Sequence, residues 1–297
     1  MPYAHPAPAA SILLKGGMLF VSIQQRFNGV LLATDYDDTL YGTDFSISPE
    51  NRRAIEYFVA EGGLFTVSTG RSYINFAIQM ATQNLPINTP VVLSNGASIY
   101  DFQRNEMLRE THLRPEIAAD LAEVCQKFPT VAFEAYHGNH VYVHNANDVT
   151  QRHLERAKLS GISLPIPEIP LPWSKAILQE DDHRLLEAAR VYMAEKWGGK
   201  YEVIFSNPVL LEITDKGVNK GTAVLWLADH LKIERSHIYC VGNGHNDLPM
   251  LEVSAVPFAP ANCELALKRN GVTILPSCDE SCIARLIDHL DRRYAKS

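Results

Sequence analysis

The sequence predicts an α/β protein, a doubly wound parallel-sheet core interrupted by an inserted α+β domain. Three observations predict it. Apolar runs without period-2 alternation, at residues 29–34, 64–68 and 90–97, each lead into a polar turn, as strands buried on both faces do. Helical periodicity separates these runs, and HIYCVGNGHND (237–247) repeats the strand-then-turn pattern near the other end. Between the two groups lie stretches of alternating polarity around tight turns, which read as hairpins.

The elements follow in order. GVLLAT (29–34) is the first strand. Ser48 and Pro49 form an N-cap with Pro at the first helical position, ENRRAIEYFVAEG is amphipathic, and Gly62 supplies the stop. LFTVS is the second strand, STGRSYINFAIQMAT turns into a helix, and PVVLSNGA is a third strand, giving a β-α-β-α-β order with right-handed crossovers. VAFEAYHGNHVYVHN (131–145) then reads as a hairpin around Gly138-Asn139. A helix, a Pro-rich link, the strand SKAIL, the helix LLEAARVYMAEKW and the hairpin YEVIFSNPVLLEI complete a set typical of a sheet covered on one face. The expected division is an N-terminal arm at 1–27, a core at 28–111 and 214–297, and an insert at 112–213. In the first hairpin, strand parity is read as placing Glu134 and Tyr136 on one face with His140, Tyr142 and His144, and Val131, Phe133, Val141 and Val143 on the other.

At 297 residues there is ample material for a core, and a hydrophobic share of 46% with 21% charged residues is ordinary for a soluble globular protein. No run approaches the ~18 apolar residues of a membrane span, so no membrane partner is expected. A net charge of −7 without a basic tract argues against nucleic acid, because phosphate backbones call for clustered Lys and Arg. The five cysteines form no CxxC or His/Cys zinc spacing and the N-terminus makes a poor signal peptide, so a reducing, cytoplasmic setting is expected. Cys278 and Cys282, four apart on a helix, read as two ordinary thiols or a redox pair.

In LLATDYDDTLYGT (31–43) the first apolar strand runs into Asp35, Asp37 and Asp38. Ligands of open parallel sheets bind at the carboxyl ends of strands, and Asp35, Thr69, Asn95 and Asn243 each lie just past one. Two carboxylates about 4 Å apart repel by roughly 4 kcal/mol at an effective dielectric near 20, so the cluster calls for a cation or a raised pKa. Mg²⁺, a hard ion that prefers carboxylate oxygens and keeps several waters, suits such a loop; a solvated acidic turn is the alternative. EF-hand spacing is absent. Lys220 follows the apparent N-cap Asn219, in a first turn where the helix dipole disfavours a cation, and so marks a candidate site residue.

Taken together, DYDDTL, STGR, SNGA, GVNKGTA and GNGHNDLPML resemble, in order and over residues 35–247, the haloacid dehalogenase superfamily of phosphatases, in its Cof-type branch with a large α/β cap. The resemblance implies a Rossmann-like core and a Mg²⁺-dependent phosphatase acting on a small phosphorylated metabolite through an aspartyl-phosphate. Asp35 would be the nucleophile, Asp37 the general acid and base, and Lys220 the neutralising cation, with Lys216 a nearby competitor. Thr69, Gly70, Arg71, Asn95 and Asn246 would bind phosphate or substrate, and Tyr136 and His140 would contact it from the cap. Asp35, Asp37, Asn243 and Asp247 would hold Mg²⁺, Asn243 standing where family members usually carry an acid. That substitution leaves open a catalytically weak phosphate-binding regulator, beside a phosphotransferase or phosphomutase. His245 reads as variable loop, and His137, His140 and His144 lack the partners of a zinc site.

Overall fold

A computed structural model describes residues 10–14, 17–21, 25–268 and 271–295. Much of the expected N-terminal arm lies outside the described residues; within it, β1 (Ala10–Leu14) and β2 (Gly17–Val21) pair as an antiparallel hairpin. The first core units are β3 (Leu31–Thr34), α1 (Pro49–Ala60), β4 (Leu64–Val67) and α2 (Tyr73–Gln83). Ser48 Oγ accepts from the Asn51 amide at 3.0 Å and Gly62 sits at φ +86°, so α1 begins and ends where its capping residues direct.

Next come β5 (Val91–Leu93), β6 (Ser98–Asp101) and β7 (Glu106–Glu110), a three-stranded antiparallel sheet. Here the structure corrects the sequence reading. PVVLSNGA joins the parallel sheet only through a single Ser68–Val92 bridge and otherwise pairs with its own return strand. A buried apolar run is equally compatible with either partner, so its composition could not distinguish them.

The insert comprises α3 (Ile117–Lys127), β8 (Ala132–His137), β9 (His140–His144), α4 (Asp148–Ala157), β10 (Gly161–Ser163), β11 (Lys175–Gln179), α5 (His183–Trp197), β12 (Tyr201–Asn207) and β13 (Leu210–Asp215). Its six-stranded sheet has the order β10-β9-β8-β11-β13-β12. One face packs Phe133, Ala135, Ala176, Leu178, Leu211 and Ile213 against α3 and α5, where Leu121, Leu186, Ala189 and Met193 are buried. The chain returns through α6 (Lys220–Leu231), β14 (Ile238–Val241), α7 (Leu248–Glu252), β15 (Val256–Pro260), α8 (Leu265–Lys268), β16 (Thr273–Leu275) and α9 (Cys282–Arg293). The core sheet is five-stranded and parallel, ordered β16-β15-β14-β3-β4. One of its faces packs on α1 and α9 and the other on α6 and α7, the doubly wound arrangement. Among the described residues no helix is long and apolar enough to cross a membrane.

The β8–β9 register overturns the predicted hairpin faces. Glu134 pairs with Val143, Tyr136 with Val141, His137 with His140 and Phe133 with His144. A two-residue turn pairs even positions with odd ones, so Glu134 and Tyr136 share their face with Val141 and Val143, and His140 and His144 go with Phe133.

Candidate active site

The acid loop is built by β3 and its neighbour. Asp35 N donates to Val241 O at 2.8 Å, fixing the first acid at the end of β3 beside β14. Asp38, at φ +57°, donates its N–H to Tyr41 O at 2.9 Å and folds the loop back. Asp35 is 6% exposed and Lys220 fully buried. An Asn219–Thr222 capping box starts α6, and from its first residue Lys220 Nζ reaches both Asp35 Oδ1 and Asp247 Oδ1 at 2.6 Å. The dipole-disfavoured cation is therefore held by two carboxylates. They raise its pKa despite burial, which acts in the other direction. For Asp35, burial and then the Asp247 charge outweigh Lys220 and push its pKa up to about 7.

Asp247 closes the loop after β14. Its Oδ2 accepts from the amides of Asn243 and Gly244, both at 2.9 Å, and its other oxygen faces Lys220. Gly242 is required there because a Cβ would overlap the Asp247 carboxyl. Asn243 Oδ1 accepts from Thr39 Oγ1 at 3.2 Å. Of the four predicted metal ligands, Asp35 and Asn243 thus keep oxygen capacity toward the cleft. Asp247 spends both carboxylate oxygens on Lys220 and the loop, and Asp37 spends both on Arg71, at 2.8 and 2.6 Å. Arg71 also donates to Asn75 at 2.6 Å and lies over the Tyr36 ring at 5.1 Å.

The phosphate-side loops knit together through backbone bonds. Asn95 N donates to Thr69 O at 3.0 Å and Ser94 N to Arg71 O at 2.9 Å. Ser94, Asn95 and Gly96 occupy φ of 50°, 53° and 98°, a left-handed run that costs free energy at its non-glycine positions. Asn246 Nδ2 donates to Asn95 Oδ1 at 3.1 Å, whereas the Asn95 Nδ2 amide is buried without a partner among the described residues. Beside Gly70, an unsatisfied buried donor is suited to an anionic ligand.

Core and insert enclose one cleft of about 270 Å³, lined from the core by Asp35, Asp37, Thr69, Gly70, Arg71, Asn243 and Asn246. The insert roofs it with the second face of its sheet and with α4, contributing Tyr136, Arg152, His153, Arg156, Lys175 and Glu212 among others. His140 is exposed near the hairpin turn, on the opposite sheet face, and does not line the cleft, which corrects its predicted substrate contact. Lys216 pairs with Glu202 at 3.2 Å and so does not compete with Lys220, and His245 pairs with Glu264. No group of three or more His, Cys, Asp or Glu suited to a metal occurs among the described residues. All five cysteines are free; burial pushes Cys278 up to about 11 and Cys282 up to about 12, which suppresses the reactive thiolate.

Sequence reading missed the roof's charges. Lys175 is 2% exposed, and its Nζ donates to Glu212 Oε2 at 2.9 Å and to Gly70 O at 2.8 Å, joining the insert to the core. Arg156 Nη2 lies 3.8 Å from Asp37 Oδ1, and Asn75 Nδ2 donates to Ala157 O at 3.1 Å. The available signal was a Lys and a Glu within the apolar strands KAILQ and LLEITD.

Residues 32–287 match the family model described as haloacid dehalogenase-like hydrolase. Among similar proteins, the 5-amino-6-(5-phospho-D-ribitylamino)uracil phosphatase YwtE of Bacillus subtilis is 29% identical over 286 residues, covering 87% of this chain and 97% of its own. The HMP-PP phosphatase of Serratia proteamaculans is 24% identical over 264 residues, covering 87% and 94%. A haloacid dehalogenase-like hydrolase from Bacteroides thetaiotaomicron has a similar fold, with a TM-score of 0.76 at 22% identity over 88% of this chain and 99% of that one.

Proposed function

The chain belongs to the haloacid dehalogenase-like hydrolases and is a phosphoric monoester hydrolase, and from that premise we propose that it dephosphorylates a small phosphorylated metabolite through an aspartyl-phosphate on Asp35. The observation carrying this reading is the Asp35–Lys220–Asp247 triad, whose Asp35 lines the cleft. Lys220 holds Asp35 Oδ1, so Oδ2 is the oxygen available to attack phosphorus. Thr69 and Gly70, which line the cleft, would receive the phosphoryl oxygens; Asn95, oriented by Asn246, is outside the lining and would support them from beside Gly70. Asp37 would transfer the proton to the leaving oxygen and from the attacking water. Arg71 occupies both of its oxygens, so that service requires Arg71 to release one.

Mg²⁺ fits the donor set. Asp35 is a buried acid whose raised pKa marks a negative centre short of positive charge, and the Asn243 amide oxygen lies in the same cleft wall. Asp35 and Asn243 would hold the ion directly, while Asp247 positions the Asn243 backbone. When bound, the ion supplies charge neutralisation for the phosphoryl oxygens. The amide at Asn243 favours one second reading, a phosphate-binding protein with little turnover. Five free cysteines accord with a reducing cytoplasmic setting.

Hydrolysis of para-nitrophenyl phosphate with Mg²⁺ tests the proposal. Wild type is expected to turn over and Asp35→Asn to lose at least a thousandfold in kcat while retaining its fold by circular dichroism. Equal rates would remove Asp35 as nucleophile, and no turnover by wild type with retained phosphate binding would establish the second reading.

A further inference from the structure

The roof of the cleft contains a histidine whose orientation is fixed by a buried acid. Glu134 is fully buried in β8, and its carboxylate takes His153 Nδ1 at 2.9 and 3.0 Å, the Tyr136 hydroxyl at 2.7 Å and the Gln179 amide at 2.8 Å. Burial opposes its charge, but these donors lower its pKa overall. A buried carboxylate bonded to Nδ1 leaves the ring proton there, because the carboxylate has none to give. Nε2 is then the polar atom of His153 left for a further partner, and the residue lines the cleft with 21% of its side chain exposed.

Several polar groups of the cleft wall are already committed, whereas Arg156, with half its side chain exposed, has Asp37 no nearer than 3.8 Å. The Tyr136 hydroxyl is bound to Glu134, Lys175 to Glu212 and the Gly70 carbonyl, and Arg71 to Asp37 and Asn75. By contrast, no described residue takes up His153 Nε2, and Nδ1 alone anchors the ring. The unpaired ring atom of a residue that lines a ligand cleft gains a hydrogen bond only from solvent or ligand. The cleft, at about 270 Å³, lies just under the usual lower end for small-ligand sites and so suits a small substrate.

We propose that His153, held by Glu134, is the specificity-determining residue for the leaving group, and that it reads a hydroxyl of a polyol or sugar phosphate through Nε2. This rests on the phosphatase reading above. A hydroxyl can donate to Nε2 of a neutral ring or accept from that of a protonated one, so it satisfies the atom in either state. An apolar ring leaves Nε2 desolvated and unpaired, which is how a hydrogen-bonding site rejects an analogue lacking the group. Glu134 acts through His153 and is a positioning residue.

The test uses the full-length enzyme with Mg²⁺ and compares para-nitrophenyl phosphate with a panel of hexose 6-phosphates, ribose 5-phosphate and glycerol phosphate. For the polyol phosphate best used by wild type, His153→Ala is expected to lower kcat/KM relative to the aryl phosphate tenfold or more, mainly by raising KM. Glu134→Gln should move the same ratio in the same direction by less. His153→Gln, whose side-chain amide can both accept from and donate to a hydroxyl, should restore part of the selectivity. Wild type should also discriminate against the deoxy analogue lacking the read hydroxyl, and His153→Ala should not. Binding of the polyol phosphate to Asp35→Asn, with and without His153→Ala, gives the same comparison by calorimetry without turnover, and an expected tenfold weakening. An unchanged ratio, or parallel losses on aryl and polyol phosphates, would overturn the inference while leaving the phosphatase reading intact. Absence of turnover on every substrate would defeat that reading instead, and the calorimetric comparison, run with each sugar and polyol phosphate of the panel, would still decide the role of His153.

Discussion

Asp35 is a carboxyl that the folded protein prefers neutral, because burial and Asp247 together outweigh Lys220 and lift it from 3.8 to about 7. The unfolded chain loses this proton near 3.8 and the folded chain near 7, so between those values the folded state binds more protons and stability falls as pH rises. Asn resembles the neutral form at every pH. Asp35→Asn should therefore be more stable than wild type at pH 8, by roughly 1–3 kcal/mol given that each tenfold change in proton affinity is worth about 1.4 kcal/mol, and the advantage should shrink toward pH 4. Thermal melts of both proteins across that range without metal check it; a constant or absent difference would mean that Lys220 fully compensates the acid. Asn243 makes the complementary case. Asn243→Asp adds a third acid near Asp35 and Asp247, so the variant should melt lower without metal and gain more from added Mg²⁺. Its half-saturating Mg²⁺ should fall roughly ten- to a hundredfold, equivalent to about 1–3 kcal/mol. Equal Mg²⁺ titrations by activity and calorimetry would exclude position 243 from the ion.

At the scale of elements, the start of α6 and the Asn95–Gly96 turn form one piece. Gly96 has φ +98°, and a Cβ on it would overlap the carbonyl of Asn219, the residue that caps α6 and precedes Lys220. Gly96→Ala combines a disfavoured backbone with overpacking and should cost about 2–4 kcal/mol, with a Tm lower by several degrees and a higher KM for phosphate esters because Asn95 is displaced. A wild-type melt would show that the turn moves away from α6 without strain. The residues that meet at this junction were legible in the sequence because each lies directly past a buried strand or at a capped helix start, so local pattern and position coincide. Asp35, Thr69, Asn95, Asn243 and Lys220 are all of this kind. The roof was not legible in the same way. Lys175 and Glu212 are 37 positions apart and Glu134 and His153 are 19 apart, and each pair is explained only by a partner on another element. The hairpin faces failed for a different reason, since adding or removing a single turn residue reverses every side chain.

At the scale of the whole molecule, the chain crosses between core and insert twice, and Arg114 and Asp215 join the two crossings at 3.1 Å. This partly exposed pair contributes at most about 1 kcal/mol, so Arg114→Ala should barely move Tm. Residues at a hinge change kcat and KM together, and the variant should show both shifts on a well-used substrate. A change in neither would mean that the crossings are held by the backbone alone. The roof meets the floor where Lys175 hangs from the carbonyl of Gly70, next to the residues proposed to hold phosphate. Substrate entry and product release that part this contact would carry the insert through water with its whole mass. Such motion is slowed by solvent friction, whereas bond cleavage at phosphorus is not. For a well-used substrate, kcat should therefore fall in proportion to added sucrose viscosity, and for the slower aryl phosphate it should not; the slope of that plot reads how much of each turnover is spent opening the Lys175–Gly70 contact.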